Sequence, residues 1–311
     1  MTIHDRGKLK QDAREDLAQC SYDPKKLILI HTGATIVLSL LLTLMDFVLD
    51  QQIGGTGGLG GVGVRAVLET VQSVLMIAQS VAVLFWQIGY VFTAIRISRR
   101  EEVGPGSLLE GFRRFGPVLR LRLIIGLRVM GLCFGSLYLA SLAFSLTPWA
   151  KSVMAAIESG SEALMLAAME DVMLPWLGIV VLILGLVAVP YLYQVRMAEY
   201  TLMDDPKAGA RVAILKSRLL MYQNRWNLFK LDLSFWWFYG MQLLAMVVGY
   251  GDLILQDLGV ELPWSDTASY YIFLLLCYAA QLALFWWRGN EVQVTYANAY
   301  EALLPRNMEE A

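Results

Sequence analysis

The sequence predicts an all-α fold: a polytopic transmembrane helical bundle of six spans, with amphipathic interfacial helices on the cytosolic side. Three observations lead there. Hydrophobic residues make up 57% of the chain against 17% charged, with nine Trp, far from the balance of a soluble domain. Six stretches, approximately 27–49, 66–95, 121–147, 173–195, 228–250 and 268–288, are long enough to cross a hydrocarbon core as helices. Lys and Arg are also segregated, with 22 of 25 in residues 1–26, 96–122, 196–230 and 288–311. The segments 50–65, 148–172 and 251–267 hold only Arg65 and Lys151, against nine acidic residues. By the positive-inside bias both termini are cytoplasmic, in a multi-pass protein of the cytoplasmic membrane.

Residues 1–26 read as a cytosolic amphipathic helix, with Leu9, Ala13, Leu17 and Cys20 in one stripe and Pro24 ending it. The first apolar stretch is too long for the core of a secretory signal and lacks a small-residue cleavage site, so it reads as a retained span. Before the third span, Ser107 is expected as N-cap with Glu110 three residues on, and Leu108, Phe112, Phe115 and Leu119 share a face. Before the fifth, Asp205 is expected to cap and Pro206 to take the first helical position. That helix carries the stripe Ala208, Val212, Leu215, Leu219, Tyr222 and Trp226, with Arg211, Arg218 and Arg225 mostly opposite. Each odd-numbered span thus follows an amphipathic piece, which suggests a three-part unit of interfacial helix, span out, loop and span back. Residues 289–311 read as a cytosolic tail with Val292, Tyr296, Ala299 and Leu303 in one stripe. Residues 1–311 together read as a single integral membrane domain.

The candidate chemistry is sparse. The run GGTGGLGGVG, residues 54–63, contains GxGxxG but follows an apolar span instead of a strand, so it reads as a flexible loop. GYGD, Gly249 to Asp252, matches a string of intramembrane aspartyl proteases but lacks the second aspartate that chemistry requires, and Asp252 reads as a loop acid. Cys20, Cys133 and Cys277 are far apart and indicate neither a disulfide framework nor a zinc site. Arg120 and Arg122 fall at the inner interface, Arg128 about two turns deeper, and anchoring is favoured over an ion path. Asp46 and Glu69 near the outer span ends, and His31 about one turn inside the first span, complete the intramembrane polar candidates. Trp236-Trp237, Trp286-Trp287, Trp149, Trp176 and Trp264 trace two aromatic belts.

The segment AEYTLMDDPKAGARVAILKSRLLMYQNRWNLFKLDLSFWWF resembles the most recognisable part of a bacterial membrane-protein family, domain of unknown function 975. Tyr200, Asp204, Asp205, Pro206, Ser217, Leu220 and Met221 occupy the corresponding places. Arg96, Ser107, Gly111 and Phe112 resemble an earlier family segment, and TYANAYEALL its Tyr-containing close. Gln223 and Asn224 replace the family's Gly and following basic residue, and AVPYLYQV keeps only Pro190 of its Pro-Gly-Ile. The resemblance implies a polytopic fold in a bacterial membrane and no particular activity.

The functional expectation is a non-enzymatic scaffold, accessory subunit or envelope-associated factor; the alternative is a transporter or permease for a lipid or small solute. Arg211, Arg218, Arg225, Trp226, Arg120 and Arg122 are the expected contacts to anionic lipid headgroups or to a membrane protein partner. No cofactor, metal or nucleic acid is expected. The spans show no Gly/Pro-broken pair in matching positions, the usual pointer to a carrier site.

Overall fold

The computed structural model describes residues 5–54, 59–205, 207, 209–257 and 266–304, and every regular element among them is helical. Five helical stretches are long and apolar enough to cross a membrane, and a sixth span results if one bent pair of helices counts as a unit. They form three hairpins. Helix α2 (Pro24–Gly54) packs on α3 (Leu59–Ser98), α5 (Phe115–Ser145) on α7 (Glu162–Val195), and α11 (Trp236–Gly249) on α13 (Asp266–Leu284). The hairpins touch one another sparingly along their lengths, and they meet mainly where the basic segments gather.

That basic end is built from shorter helices. Helix α1 (Arg6–Ala18) begins at Asp5, whose carboxylate accepts from the Lys8 backbone N–H and satisfies one of the first-turn donors. Its stripe is the expected one: Leu9 and Ala13 are buried, with Leu17 and Cys20 against the core. It ends at Ala18, and Pro24 opens α2 instead of closing α1, as suits a residue that lacks an N–H. A 3₁₀ turn (Pro105–Leu109) and α4 (Glu110–Arg113) lead into α5. Ser107 does not cap α4: its hydroxyl donates back to the Gly104 carbonyl and lies 2.8 Å from Thr93 Oγ1, while Glu110 pairs with Arg113 and Arg114.

Between the third and fourth spans the chain is helical where a loop was expected. Helix α6 (Pro148–Ser159) starts with Pro148 in its first turn, and Gly160 closes it at φ 64°, a conformation glycine adopts without the Cβ penalty. Helix α7 then begins at Glu162, eleven residues before the apolar stretch. Asp252, expected in a loop, is buried in the first turn of α12 (Gly251–Asp257). Helix α8 (Ala198–Asp204) follows α7 closely, and α9 (Ala210–Met221) takes Gly209 as its N-cap. Asp205 instead accepts from the Lys207 N–H and from Lys216 Nζ; Pro206 lies outside the described residues.

Helix α9 buries Ala210, Ala213, Ile214, Ser217 and Met221. The apolar stripe read from the sequence faces outward: Leu219 is 78% exposed, Tyr222 74% and Trp226 63%. The small residues Ala210, Ala213 and Ser217 admit close approach to α7 and α8, and the Ser217 hydroxyl donates to the Gln194 carbonyl. The larger apolar side chains are left on the outer face.

The fifth span is broken. Helix α10 (Arg225–Leu233) and α11 meet at 61°. No Gly or Pro stands at the break. Ser234 bonds its own hydroxyl to the Leu231 carbonyl, and the Phe238 N–H turns to Phe235 instead of Ser234. The Ser234 carbonyl so released accepts from Lys10 Nζ of α1 at 2.9 Å, and Arg6 donates to the Lys230 carbonyl. Cations placed on the last carbonyls of α10 also suit its dipole.

The sixth span passes through a π turn (Phe285–Gly289) into α14 (Asn290–Leu303). Residues 290–292 and 294–300 of α14 are all buried, so it is an internal strut and not an interfacial helix with one wet face. Arg14 pairs with Glu291, and Asp16 takes Arg100 and the Asn298 amide, which ties α1 to α14 and α3. Arg99 bridges Asp204 and Glu301, tying α3 to α8 and α14. Burial opposes the charge of Arg99, but the two carboxylates raise its pKa above the ordinary value.

Candidate functional site

A cavity of about 720 Å³ lies between the hairpins, lined by residues of α2, α3, α5, α7, α8, both limbs of the broken span, the π turn and α14. Its position follows from the fold. The hairpins converge at the basic end, α14 rises through their middle, and the break at Ser234 and Phe235 turns α11 away from α10. Along α7 and α8 the lining runs from Val189 to Tyr200. At 1.5 Å rise per residue that is about 16 Å of helix.

The lining holds four charged side chains: Arg122, Arg196, Glu199 and Asp232. Arg122 from α5 pairs with Glu199 from α8 at 2.7 Å, so those two offset each other. Asp232 ends a tyrosine relay. Tyr193 donates to one carboxylate oxygen at 2.5 Å and Tyr296 to the other, while the Tyr239 hydroxyl lies 2.7 Å from that of Tyr296. Because the Tyr296 proton goes to Asp232, Tyr239 is the donor in the last contact. Three helices thus converge on one carboxylate at the break.

Arg196, between α7 and α8, differs from the others. Its guanidinium sits 5.3 Å from the centre of the Tyr296 ring, and no carboxylate or carbonyl of the described residues accepts from it. It is exposed, and it lines the cavity. Gln87, Gln242 and Gln293 add neutral donors and acceptors, and Val91, Ile125, Val189, Leu192, Phe238 and Phe285 add an apolar wall.

Of the residues singled out from sequence, the cavity gathers Arg122 and His31. The His31 ring stacks on Tyr90, at 4.7 Å, and on Trp86; its backbone carbonyl accepts from the Trp86 indole, and its Nδ1 is buried with no hydrogen-bond partner. The others lie elsewhere. Arg120, Arg128, Arg211 and Glu69 are exposed. Arg218 is part-buried against the Tyr191 ring and Arg225 is part-buried, each with Nε unbonded. Trp226 stacks on Phe229 with Lys230 beside it. The Asp46 side chain, the glycine run at residues 55–58 and Trp264 lie outside the described residues.

Sequence reasoning missed Arg196, Asp232 and the tyrosines. A signal was present: Asp232, Gln87 and Gln242 fall inside apolar stretches, where polar side chains face the bundle interior. Tyr193, Tyr239 and Tyr296 carry no such signal, since tyrosine is also a belt residue.

The positions that carried the resemblance have structural roles. Gly111 sits against the α3 backbone, Tyr300 of the Tyr-containing close donates to Asp204, and Ser217 anchors α9. No curated protein and no solved structure matches this sequence. The profile of the family described as Protein of unknown function (DUF975) matches residues 1–303, with the cavity lining inside that range. The chain belongs to this family.

Proposed function

We propose that the protein is a multi-pass protein of the bacterial cytoplasmic membrane that takes up a lipid or small solute in the cavity and passes it through the bundle. The scaffold expected from composition gives way to the transporter alternative on one observation, the cavity of about 720 Å³ with four charged groups at a broken span. Its volume falls in the range of small-molecule sites, roughly 300–1,000 Å³. Arg122 and Glu199 brace α5 against α8, but a bundle that serves only as a scaffold gives no role to an inward guanidinium without an acceptor among the described residues or to three glutamines on a cavity wall. Discontinuous spanning helices are also where carriers place their sites, because irregular backbone in a membrane is tolerated next to a cavity. In this reading the basic end is cytoplasmic and the reading is non-catalytic: binding and passage without bond chemistry.

Cysteine accessibility tests it. With Cys20, Cys133 and Cys277 replaced by Ser, single cysteines at Gln87 and Gln242 should react with an impermeant thiol reagent from the cytoplasmic side. A carrier that alternates should also show slower reaction from the other side. Reaction from neither side removes the cavity reading, and reaction from the cytoplasmic side alone returns the protein to a binding or accessory role.

That accessory role has an observation of its own. Val212, Leu215, Leu219, Tyr222 and Trp226 form an exposed apolar stripe on α9 and α10, next to Arg211 and Lys216. Such a face suits the headgroup level of an anionic leaflet. It is compatible with transport and is proposed here as the lipid contact.

A further inference from the structure

We infer that the cavity is an anion site, with Arg196 as the residue that receives a carboxylate or phosphate group. The inference rests on the cavity being a ligand site and deepens that reading by giving the ligand a charge and a partner. A count of donors and acceptors carries it.

Among the cavity's four charged groups, the protein already pairs all but one. Glu199 is taken by Arg122. Both Asp232 oxygens are taken by tyrosine hydroxyls, and the Tyr239 proton is taken by Tyr296. Arg196 remains, with five N–H donors in a planar fork and no acceptor from the described residues. Asp232 makes no ion pair with Arg196, because both its oxygens are held by Tyr193 and Tyr296. The tyrosines keep the acid from closing on the arginine, and the fork stays open toward the cavity.

A guanidinium fork matches a carboxylate or phosphate with two parallel hydrogen bonds, and the charge on both sides makes these bonds strong. The apolar wall of Ile125, Leu192, Phe238 and Phe285 extends the site beyond that headgroup. The ligand class is therefore an organic anion with an apolar body. A phosphate-bearing group reaches such a site either as a free anion or as the head of a single-chain amphiphile. The glutamines orient the bound head, since they can donate and accept.

The test uses the purified full chain in an uncharged maltoside detergent, with inorganic phosphate and octyl phosphate as probes and octyl glucoside as the uncharged control. Octyl phosphate should bind saturably and raise the thermal midpoint, and octyl glucoside should not. Arg196→Gln should weaken binding about tenfold or more, and Arg196→Lys by less, because lysine keeps the charge without the fork. Arg211→Gln removes an exposed cation away from the cavity and should leave binding unchanged. Binding of inorganic phosphate comparable to octyl phosphate identifies the free anion as the ligand form; binding of octyl phosphate alone identifies the amphiphile. Equal binding by wild type and by a folded Arg196→Gln or Arg196→Lys protein, or no binding of either probe, overturns the inference. If the cysteine at Gln242 is reactive yet neither anion binds, the anion assignment falls while the cavity reading stands. If that cysteine is unreactive from both sides, both fall.

Discussion

At Gly89 the backbone of α3 lies so close to the Leu108 carbonyl that an added methyl carbon would sit 1.8 Å from that oxygen. Gly111 answers it one turn away, where a Cβ would meet the Phe85 carbonyl at 2.0 Å. Backbone meets backbone at both positions, so no rotamer change can make room. Overpacking of a flexible core costs about 1–3 kcal/mol, and these sites fall at or above the top of that range. Gly89→Ala and Gly111→Ala should each abolish or strongly reduce the folded, monodisperse fraction in detergent. Gly126→Ala should keep or raise the thermal midpoint, since nothing lies within 4 Å of its added carbon and alanine favours the helix by about 0.5–1 kcal/mol. The family resemblance singled out Gly111 without a reason; the reason is the close crossing of α4 and α3. Arg122 illustrates the converse. From sequence it is one more interfacial cation, and only the fold brings Glu199 to it from a helix 77 positions along. Arg122→Gln should lower stability more than Arg120→Gln, because it strands a part-buried carboxylate, and thermal unfolding of the two variants compares them directly.

Helix α9 separates what periodicity can and cannot say about an element. Val212, Leu215 and Leu219 of the stripe fall on one side of it, but periodicity does not say which side meets protein, because a chain in a membrane protein has two apolar partners and hydropathy does not distinguish them. Small residues mark the packed side: Ala210, Ala213 and Ser217. Ile214→Ala and Met221→Ala should therefore each cost about 2–5 kcal/mol, the range for emptying a buried site. Leu219→Ala should leave stability in detergent nearly unchanged while weakening association of α9 with anionic vesicles. Helix α1 gives a second case. Lys10 lies over the Phe235 ring at 3.9 Å and donates to Ser234, and burial pushes its pKa below the ordinary 10.5. A base with a depressed native pKa is penalised when protonated. Its contribution to stability therefore grows as pH rises through the native value toward 10.5, then levels off. Lys10→Met should cost about 1 kcal/mol near neutrality through the lost bond to Ser234, with the difference in thermal midpoint widening in favour of the wild type at alkaline pH. The break itself was illegible in sequence: it uses neither Gly nor Pro but a serine that bonds its own chain and a lysine from over 200 residues away.

For the whole molecule, the number of apolar stretches and the grouping of cations were legible in composition, because both follow from the cost of charge in hydrocarbon. The cavity was not, since it arises where residues from nine elements meet. Sidedness is tested by labelling, and the structure chooses the positions. Ser107 and Ser217 are buried, so silence from a cysteine there would report packing and not topology. Cysteines at the exposed Ser152 and at the exposed Glu102 or Lys207 serve instead. Only the first should react from outside intact cells, and labelling at Glu102 would reverse the orientation. The clasp between α1 and α14 has one more consequence, for the order of assembly. Each hairpin joins neighbours in sequence and can form as soon as its second helix has been made. The contacts of Arg14 with Glu291 and of Asp16 with Asn298 join residues 277 and 282 positions apart. Helix α1 is synthesised first and must wait, its buried face uncovered, until α14 arrives. The bond from Lys10 to Ser234 closes a chain segment almost as long. The seating of α14 against α1 should thus be the last step of folding, and a chain arrested before α14 should hold three hairpins with no finished cavity between them.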